Sequence, residues 1–212
     1  MAKFLIADDH PLYREALKAA LQTEFSGINY LESDSFASTL NVLKSQRNIT
    51  LLLLDLNMPG CDDYYGLLRF RQSFPQLPIV VISGSEDLET MAQVMEFGAN
   101  AFVPKSSATG VLVEALRTVL SGKNWVSDAV ARKLKTVSNE KISIANKVRE
   151  LTPKQFQVLC LVKKGLKNSD IASQLNVTEA TVKAHVGSLF RRLEVKSRTQ
   201  IMVVIEHLKL RQ

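Results

Sequence analysis

Asp8, Asp9, Asp55, Ser83 and Lys105 are residues whose types could together accept a phosphoryl group, and each stands at or just after the end of a short apolar run. A carboxylate can serve as the nucleophile. Further carboxylates beside it repel one another unless a cation sits among them, and an oxygen-only ligand set completed by water suits Mg²⁺. A hydroxyl and an ammonium can then neutralise and hold the phosphoryl oxygens during transfer. Taken singly, each residue also has a structural reading. Asp8 or Asp9 could cap a helix beginning near Pro11, Ser83 could be a turn residue and Lys105 a surface lysine. Only convergence gives the five a common chemistry.

The elements that would position them are readable from apolar periodicity. Lys3–Ala7, Ile28–Glu32, Leu51–Asp55, Pro78–Ile82 and Ala101–Val103 read as strands. Pro11–Glu24, Phe36–Ser45, Tyr65–Ser73, Leu88–Phe97 and Ala108–Ser121 read as the helices between and after them. The four leucines before Asp55 suit a strand covered on both faces. Five strands alternating with five helices predict a parallel sheet between helical layers. Right-handed crossovers then favour a flavodoxin-like, doubly wound α/β fold of strand order 2-1-3-4-5. In that order the first and third strands are neighbours, which brings Asp8, Asp9 and Asp55 together at the switch point where such sheets bind ligands.

The pattern ends at Gly122. Trp125–Val137 can add one helix, and Ser138–Arg149, polar and basic with weak periodicity, reads as linker. The expected organisation is a first domain over 1–122, a partly helical linker over 123–147 and a second domain over 148–212. The second domain carries no strand signal. Thr152-Pro153 opens a helix with an N-cap and a proline at its first position, and the helix stops near Gly165. Phe156, Leu159 and Val162 lie on one of its faces. Ser169–Leu175, the turn Asn176–Thr178 and Glu179–Arg192 have the layout of a helix-turn-helix. Ile171, Ala172, Leu175, Val177, Val182, Val186 and Leu189 would form its core, leaving Thr181, Lys183, Ala184, Gly187, Ser188 and Arg191 outward. A last helix covers about Thr199–Leu210.

Charge separates the two parts. The net charge of +6 divides into −4 over residues 1–124 and +10 over 125–212. A basic half of that size is expected to seek a polyanion, nucleic acid above all, although a solvated basic surface would look the same by charge alone. No apolar run approaches the ~20 residues of a membrane helix. Phe4–Ala7 is too short for the apolar core of a secretory signal, so a cytoplasmic protein with no membrane partner is expected. Cys61 and Cys160, the only cysteines, form neither a disulfide framework nor a zinc site.

Four segments resemble, in order and spacing, the signature segments of the receiver domain of response regulators. They are Ala7-Asp8-Asp9-His10-Pro11, Leu54-Asp55-Leu56-Asn57-Met58-Pro59-Gly60, Ile82-Ser83-Gly84 and Gly98-Ala99-Asn100-Ala101-Phe102-Val103-Pro104-Lys105. The resemblance spans about residues 1–121. It implies that a sensor histidine kinase phosphorylates Asp55, and that Asp9, Asp55 and the main-chain carbonyl of Asn57 hold Mg²⁺ while Asp8 acts through water. Ser83 and Lys105 would contact the phosphoryl group, Phe102 would be the aromatic that turns inward on activation, and a cis bond before Pro104 is expected. After Gly60 the chain departs from the pattern, with Cys61-Asp62-Asp63 where Met-Asp-Gly is usual. Aspartate tolerates a left-handed backbone less readily than glycine, which bears on the loop and on phosphoaspartate lifetime.

Residues 148–210 are similar to the LuxR-type DNA-binding domain. The likeness rests on Leu151–Leu159, Gly165–Ala172, Thr178–Val186 and Leu193–Thr199. Together the two matches describe a response regulator of the NarL/FixJ type. The resemblance implies base reading by Lys183, Ala184 and Gly187, with Asn168, Thr178, Thr181, Arg191, Lys196 and Arg198 also facing DNA, mostly at phosphates. Gly187 stands where relatives carry a longer polar side chain, so base preference does not carry over. His185 is read as structural or phosphate-facing. Ile201, Val204 and Leu208 form an exposed stripe on the last helix; in the family this helix pairs between subunits, the stripe alone would equally suit packing against its own domain, and a homodimer is expected at least when phosphorylated. Two other classes compete: an aspartyl phosphatase and a regulator that ignores phosphate. Asn57 stands where the phosphatase would place its second aspartate; the complete set of pocket residues disfavours the other, while the altered segment after Gly60 keeps it open.

Overall fold

The centre of the first half is a sheet whose interior strands are apolar on both faces, as strands sandwiched between helical layers must be. The strands are β1 (Lys3–Ala7), β2 (Asn29–Ser33), β3 (Ile49–Leu54), β4 (Ile79–Ser83) and β5 (Ala101–Pro104). They pair in parallel in the order β2-β1-β3-β4-β5, as expected, with Ala7 opposite Leu54 and Ser83 opposite Pro104. The structure, a computed structural model, describes residues 1–61, 64–136, 147–148 and 150–207. The chain divides into two compact units, Met1–Thr136 and Val137–Gln212. Asp62, Asp63, residues 137–146 of the anticipated linker, and Leu208 lie outside the described residues.

Helices α1 (Pro11–Glu24), α2 (Phe36–Ser45), α3 (Tyr65–Ser73), α4 (Leu88–Glu96) and α5 (Thr109–Leu120) alternate with the strands. Strand alternation sends Phe4, Ile6, Leu51, Leu53, Val80, Ile82 and Val103 to one face, where they pack with Leu17 and Leu21 of α1 and Leu112 and Leu116 of α5. The intervening Leu5, Leu52, Leu54, Val81 and Phe102 are as deeply buried, on the opposite face; elsewhere along the sheet α2 packs against β2 and α4 against β5. Full burial of one such aliphatic side chain contributes about 1.5–3 kcal/mol. Two helix starts are fixed by side chains: Ser35 and Ser38 form a capping box at α2, and Asp87 accepts from the Thr90 main chain at α4.

Three local expectations are corrected. Trp125 is not helical, because its main-chain N–H bonds to Asn100 O and it forms a bridge with Ala101. The added helix, α6 (Asp128–Thr136), therefore begins three residues later and packs against α4. The bond before Pro104 is trans, as no cis peptide occurs among the described residues. A proline that lacks an N–H is tolerated there because β5 is an edge strand. At the opposite end of the sheet, Arg71 donates to the carbonyls of Gly98, Pro75 and Leu77 and to Asn100 Oδ1, and that same Oδ1 accepts from the Ile79 main chain.

The second unit is helical among its described residues: α7 (Pro153–Lys163), α8 (Asn168–Leu175), α9 (Glu179–Leu193) and α10 (Arg198–His207). Thr152 and Gln155 form a capping box at α7, with Pro153 in its first turn. Replacing Thr152 by alanine removes the acceptor for the Gln155 main-chain N–H, and a loss of about 1 kcal/mol of stability is expected. The unfolding midpoint of the second unit, followed in denaturant, checks this. Helix α7 is buried beyond the expected stripe, since Val158 and Leu161 are enclosed as well as Phe156, Leu159 and Val162. The cause is that α9 and α10 both pack on it. No helix among the described residues is long and apolar enough to cross a membrane.

Candidate functional site

Parallel pairing of β1 with β3 puts the residues that follow them side by side. Asp55 N–H donates to Ala7 O at 2.8 Å, so the chain stays paired as it leaves β3. Asp8 and Asp55 are buried, and Ser83 is completely so. Lys105 N–H donates to Ser83 O at 2.8 Å, fixing where the lysine stem starts. Its ammonium reaches Asp8 Oδ2 at 2.7 Å and Asp55 Oδ2 at 2.9 Å. Asp55 Oδ1 accepts the Asn57 main-chain N–H at 3.2 Å, and Ser83 Oγ accepts the Ser85 N–H at 3.3 Å. Phe102 is buried on β5.

Burial alone would pull the Lys105 pKa down, but hydrogen bonds and charge attraction from Asp8 and Asp55 outweigh it and hold Lys105 above the ordinary value of 10.5. The lysine is therefore charged throughout the physiological range.

Asp9 completes the acidic group, and one ligand atom from each of Asp8, Asp9, His10 and Asp55 falls within 4.8 Å of the others. Asp9 Oδ1 is buried and accepts no hydrogen bond, although His10 Nδ1 approaches it to 2.7 Å. An ionised oxygen left without a donor beside other carboxylates is a place for a cation, and hard oxygen donors fit Mg²⁺. The capping role considered for Asp8 is partly real: its Oδ1 accepts the main-chain N–H of His10, the residue preceding α1, at 2.8 Å.

Three neighbours escaped the sequence reading. The ring centroid of Tyr13 lies 4.7 Å from Lys105 Nζ, an arrangement that attracts the cation to the aromatic face. Burial pushes the Tyr13 phenol above its usual 10, with Lys105 pulling less strongly the other way. The available signal was spacing, since Tyr13, Leu17 and Leu21 continue one helical stripe toward the pocket. Arg14 donates to Asp8 O and also pairs with Glu32 at 3.1 Å. His10 sits at the pocket mouth, touching both Asp8 and Asp9.

In the second unit Lys183 and Ala184 are exposed on α9, as is Arg191, while Gly187 is half-buried. Asn176 adopts a left-handed conformation at φ 52°, ending α8, and Thr178 caps α9 by accepting the Thr181 N–H at 3.2 Å. The Thr178 and Thr181 hydroxyls also bond to each other at 2.8 Å. Lys196 is exposed. Arg198 is differently engaged: it donates to Leu166 O and to Asn168 Oδ1, tying α10 to the loop before α8. Ser188, expected outward, accepts from buried Gln155 at 2.7 Å. Ile201 is fully buried in its own unit, so the expected exposed stripe is wrong at its first member. Helix α10 presents Met202 and Val203 instead, with Val204 half-buried.

A 2-1-3-4-5 sheet with an acidic, lysine-bridged pocket at its carboxyl edge, followed by a helix-turn-helix unit, defines a receiver module joined to a DNA-reading module. Residues 4–117 match the response regulator receiver domain, and residues 149–205 match the bacterial regulatory proteins of the luxR family. The glycerol metabolism activator of Pseudomonas putida is 35% identical over 208 residues, covering 96% of this chain and 94% of that protein. The nitrate/nitrite response regulator protein NarL of Escherichia coli (strain K12) is 30% identical over 203 residues, covering 95% and 94%. RcsB from Salmonella enterica serovar Typhimurium, solved bound to promoter DNA with a phosphomimetic, aligns at TM-score 0.57 and 25% identity over 98% of each chain. The chain belongs to the two-component response regulators of the NarL type and is a DNA-binding regulator of transcription.

Proposed function

We propose that a sensor histidine kinase transfers a phosphoryl group to Asp55, and that this transfer controls dimerisation and sequence-specific DNA binding. The observation that carries this reading is the convergence of Lys105 on both Asp8 and Asp55 beside the unbonded Asp9 oxygen. An Asp55 carboxylate oxygen attacks the phosphorus, the P–N bond of the donor phosphohistidine breaks, and its electron pair returns to the imidazole. Lys105 swings from the carboxylates onto a phosphoryl oxygen, and the Ser83 hydroxyl donates to another. Asp8, Asp9, Asp55 and the Asn57 carbonyl would hold Mg²⁺, which when bound supplies charge neutralisation for the phosphoryl oxygens.

Ser83 and Phe102 relay the change to the face formed by α4 and β5, shifting a two-state equilibrium. Two copies then associate, with α10 contributing Met202, Val203 and Val204. A symmetric dimer places its two α9 helices about 34 Å apart, one DNA turn, on an inverted repeat. Lys183, Ala184 and Gly187 face bases, while Thr178, Thr181, Arg191 and Lys196 lie toward phosphates. Asn168 and Arg198 bond to each other at 3.1 Å and would hold that surface while contacting the backbone. Such a protein works in the cytoplasm, where kinase output and DNA meet.

The test is DNA affinity measured with and without beryllofluoride, on the unaltered chain and on Lys183→Ala. Affinity should rise with beryllofluoride, and Lys183→Ala should cost about 1–3 kcal/mol if the lysine reads a base, or reduce the salt slope by about one if it holds a phosphate. DNA binding indifferent to beryllofluoride would sink the switch and favour a partner-controlled regulator.

A further inference from the structure

Lys105 is held at both ends, but its charged end is held by contacts that phosphoryl transfer must break. Its main-chain N–H is fixed on Ser83 O at 2.8 Å, and its ammonium rests between Asp8 Oδ2 at 2.7 Å and Asp55 Oδ2 at 2.9 Å. Once Asp55 carries a phosphoryl group, the ammonium has to leave the carboxylate for a phosphoryl oxygen. A flexible four-carbon stem gives it many other places to go, water among them. One contact does not depend on the carboxylates. The ammonium lies over the ring of Tyr13, with the centroid 4.7 Å from Nζ.

That ring is itself fixed. Tyr13 packs against the core cluster that contains Leu17 and Leu21 of α1. The next residue, Arg14, donates to Asp8 O and to Glu32 on β2, which fastens the first turn of α1 to the loop carrying the acidic residues. A ring attracts a cation lying within about 6 Å of its centroid, so the attraction survives a swing that a hydrogen bond, with its narrow range of distance and angle, does not. The phenol is neutral at working pH and offers the face of its ring rather than a charge. Core filling alone would be met by any large apolar side chain at this position, leucine included.

We infer that Tyr13 is a positioning residue for phosphoryl acceptance: its ring is a fixed shelf along which the Lys105 ammonium moves from the Asp55 carboxylate to a phosphoryl oxygen without escaping into solvent. Tyr13 acts through Lys105 and not on the phosphorus itself. The role rests on the proposed reading of Asp55 as phosphoacceptor with Lys105 as its neutralising cation.

The test compares the full chain with Tyr13→Phe and Tyr13→Leu, both of which keep an apolar side chain against the core. Labelling by a small phosphodonor in Mg²⁺ should run near the parental rate in Tyr13→Phe and on the order of tenfold slower in Tyr13→Leu, the size expected for losing an enclosed cation–ring contact. A second readout is one that a purely structural role would not move. It is the resonance of the Lys105 ε-CH2 group, observed with isotope-labelled lysine and assigned by its loss in Lys105→Met. Stacking on the ring should shift it upfield of the other lysines in the parent and in Tyr13→Phe, and the shift should persist when beryllofluoride is added. In Tyr13→Leu it should be absent with and without beryllofluoride. Labelling of Tyr13→Leu as fast as Tyr13→Phe, or an upfield shift that disappears from the parent on adding beryllofluoride, overturns the shelf and leaves the assignment of Asp55 standing. Equal slowing of both variants assigns the effect to the hydroxyl and overturns the shelf as well. A parent chain that takes up neither label nor beryllofluoride overturns the pocket reading on which the role of Tyr13 rests.

Discussion

An Asp55→Ala chain incubated with a small phosphodonor takes up no label, while the unaltered chain does. The expected loss is at least a hundredfold, because no other group has the same surroundings. Asp8 shares the burial of Asp55 and the lysine, but its Oδ1 also faces His10 Nδ1 and its main-chain carbonyl is held by Arg14. Asp9 lacks any contact with Lys105 among those described. Nucleophilic attack needs the oxygen, the neutralising ammonium and the hydroxyl within reach of one phosphorus atom, and alignment of this kind accounts for several orders of magnitude in rate. The same variant should lose the beryllofluoride effect on DNA affinity. Persistent labelling would move the acceptor elsewhere and remove the basis for the proposed switch.

Lys105→Met should give the largest change in stability. The Asp55 side chain is completely enclosed, Asp8 nearly so, and Lys105 only 20% exposed, so removing the ammonium leaves two buried carboxylates facing each other. Breaking a buried ion pair by removing one partner costs about 3–5 kcal/mol. The low end applies here, since the lysine reaches solvent and a metal ion can take its place. Chelated Lys105→Met should therefore unfold well below the unaltered chain, and Mg²⁺ should restore a larger share of the midpoint than it adds to the parent. A pH signature accompanies this. The raised Lys105 pKa means its contribution is complete below the ordinary value of 10.5 and fades as pH climbs through the higher value of the folded state. The parent should lose midpoint in that alkaline window, and the methionine variant should lack that component. Equal midpoints for the two chains in chelator would show that the ion pairs contribute nothing.

Much of this site could be read before any coordinates, for a definable reason. Asp8, Asp9, Asp55, Ser83 and Lys105 sit at strand ends, and strand ends are marked by where apolar runs stop. Once the alternation predicts parallel order, the ends must share one edge. Helix starts such as Pro11, Phe36 and Pro153 were equally legible, because caps and prolines act within a few residues. What failed depended on tertiary neighbours. Ser188 looks outward on a helical wheel, yet buried Gln155 claims its hydroxyl. Ile201 reads as part of a stripe, but periodicity gives a face without saying whether its own unit covers it. Trp125 looked helical because apolar spacing cannot register a bridge to Ala101. Tyr13 was hidden because its ring matters only once Lys105 folds over it.

The Arg71 guanidinium has a consequence at the opposite edge of the sheet. One planar group fastens the approach to β4 and the approach to β5 to the end of α3, through four acceptors that draw on four of its five fixed donors. A lysine there has three donors on a single point and could not span them. With the amino ends of these two strands riveted together, a displacement of Ser83 and Phe102 in the proposed switch would fan about that rivet. A small shift at the aspartate would thereby be steered into angular travel at the carboxyl ends instead of being dissipated as sliding along the whole layer.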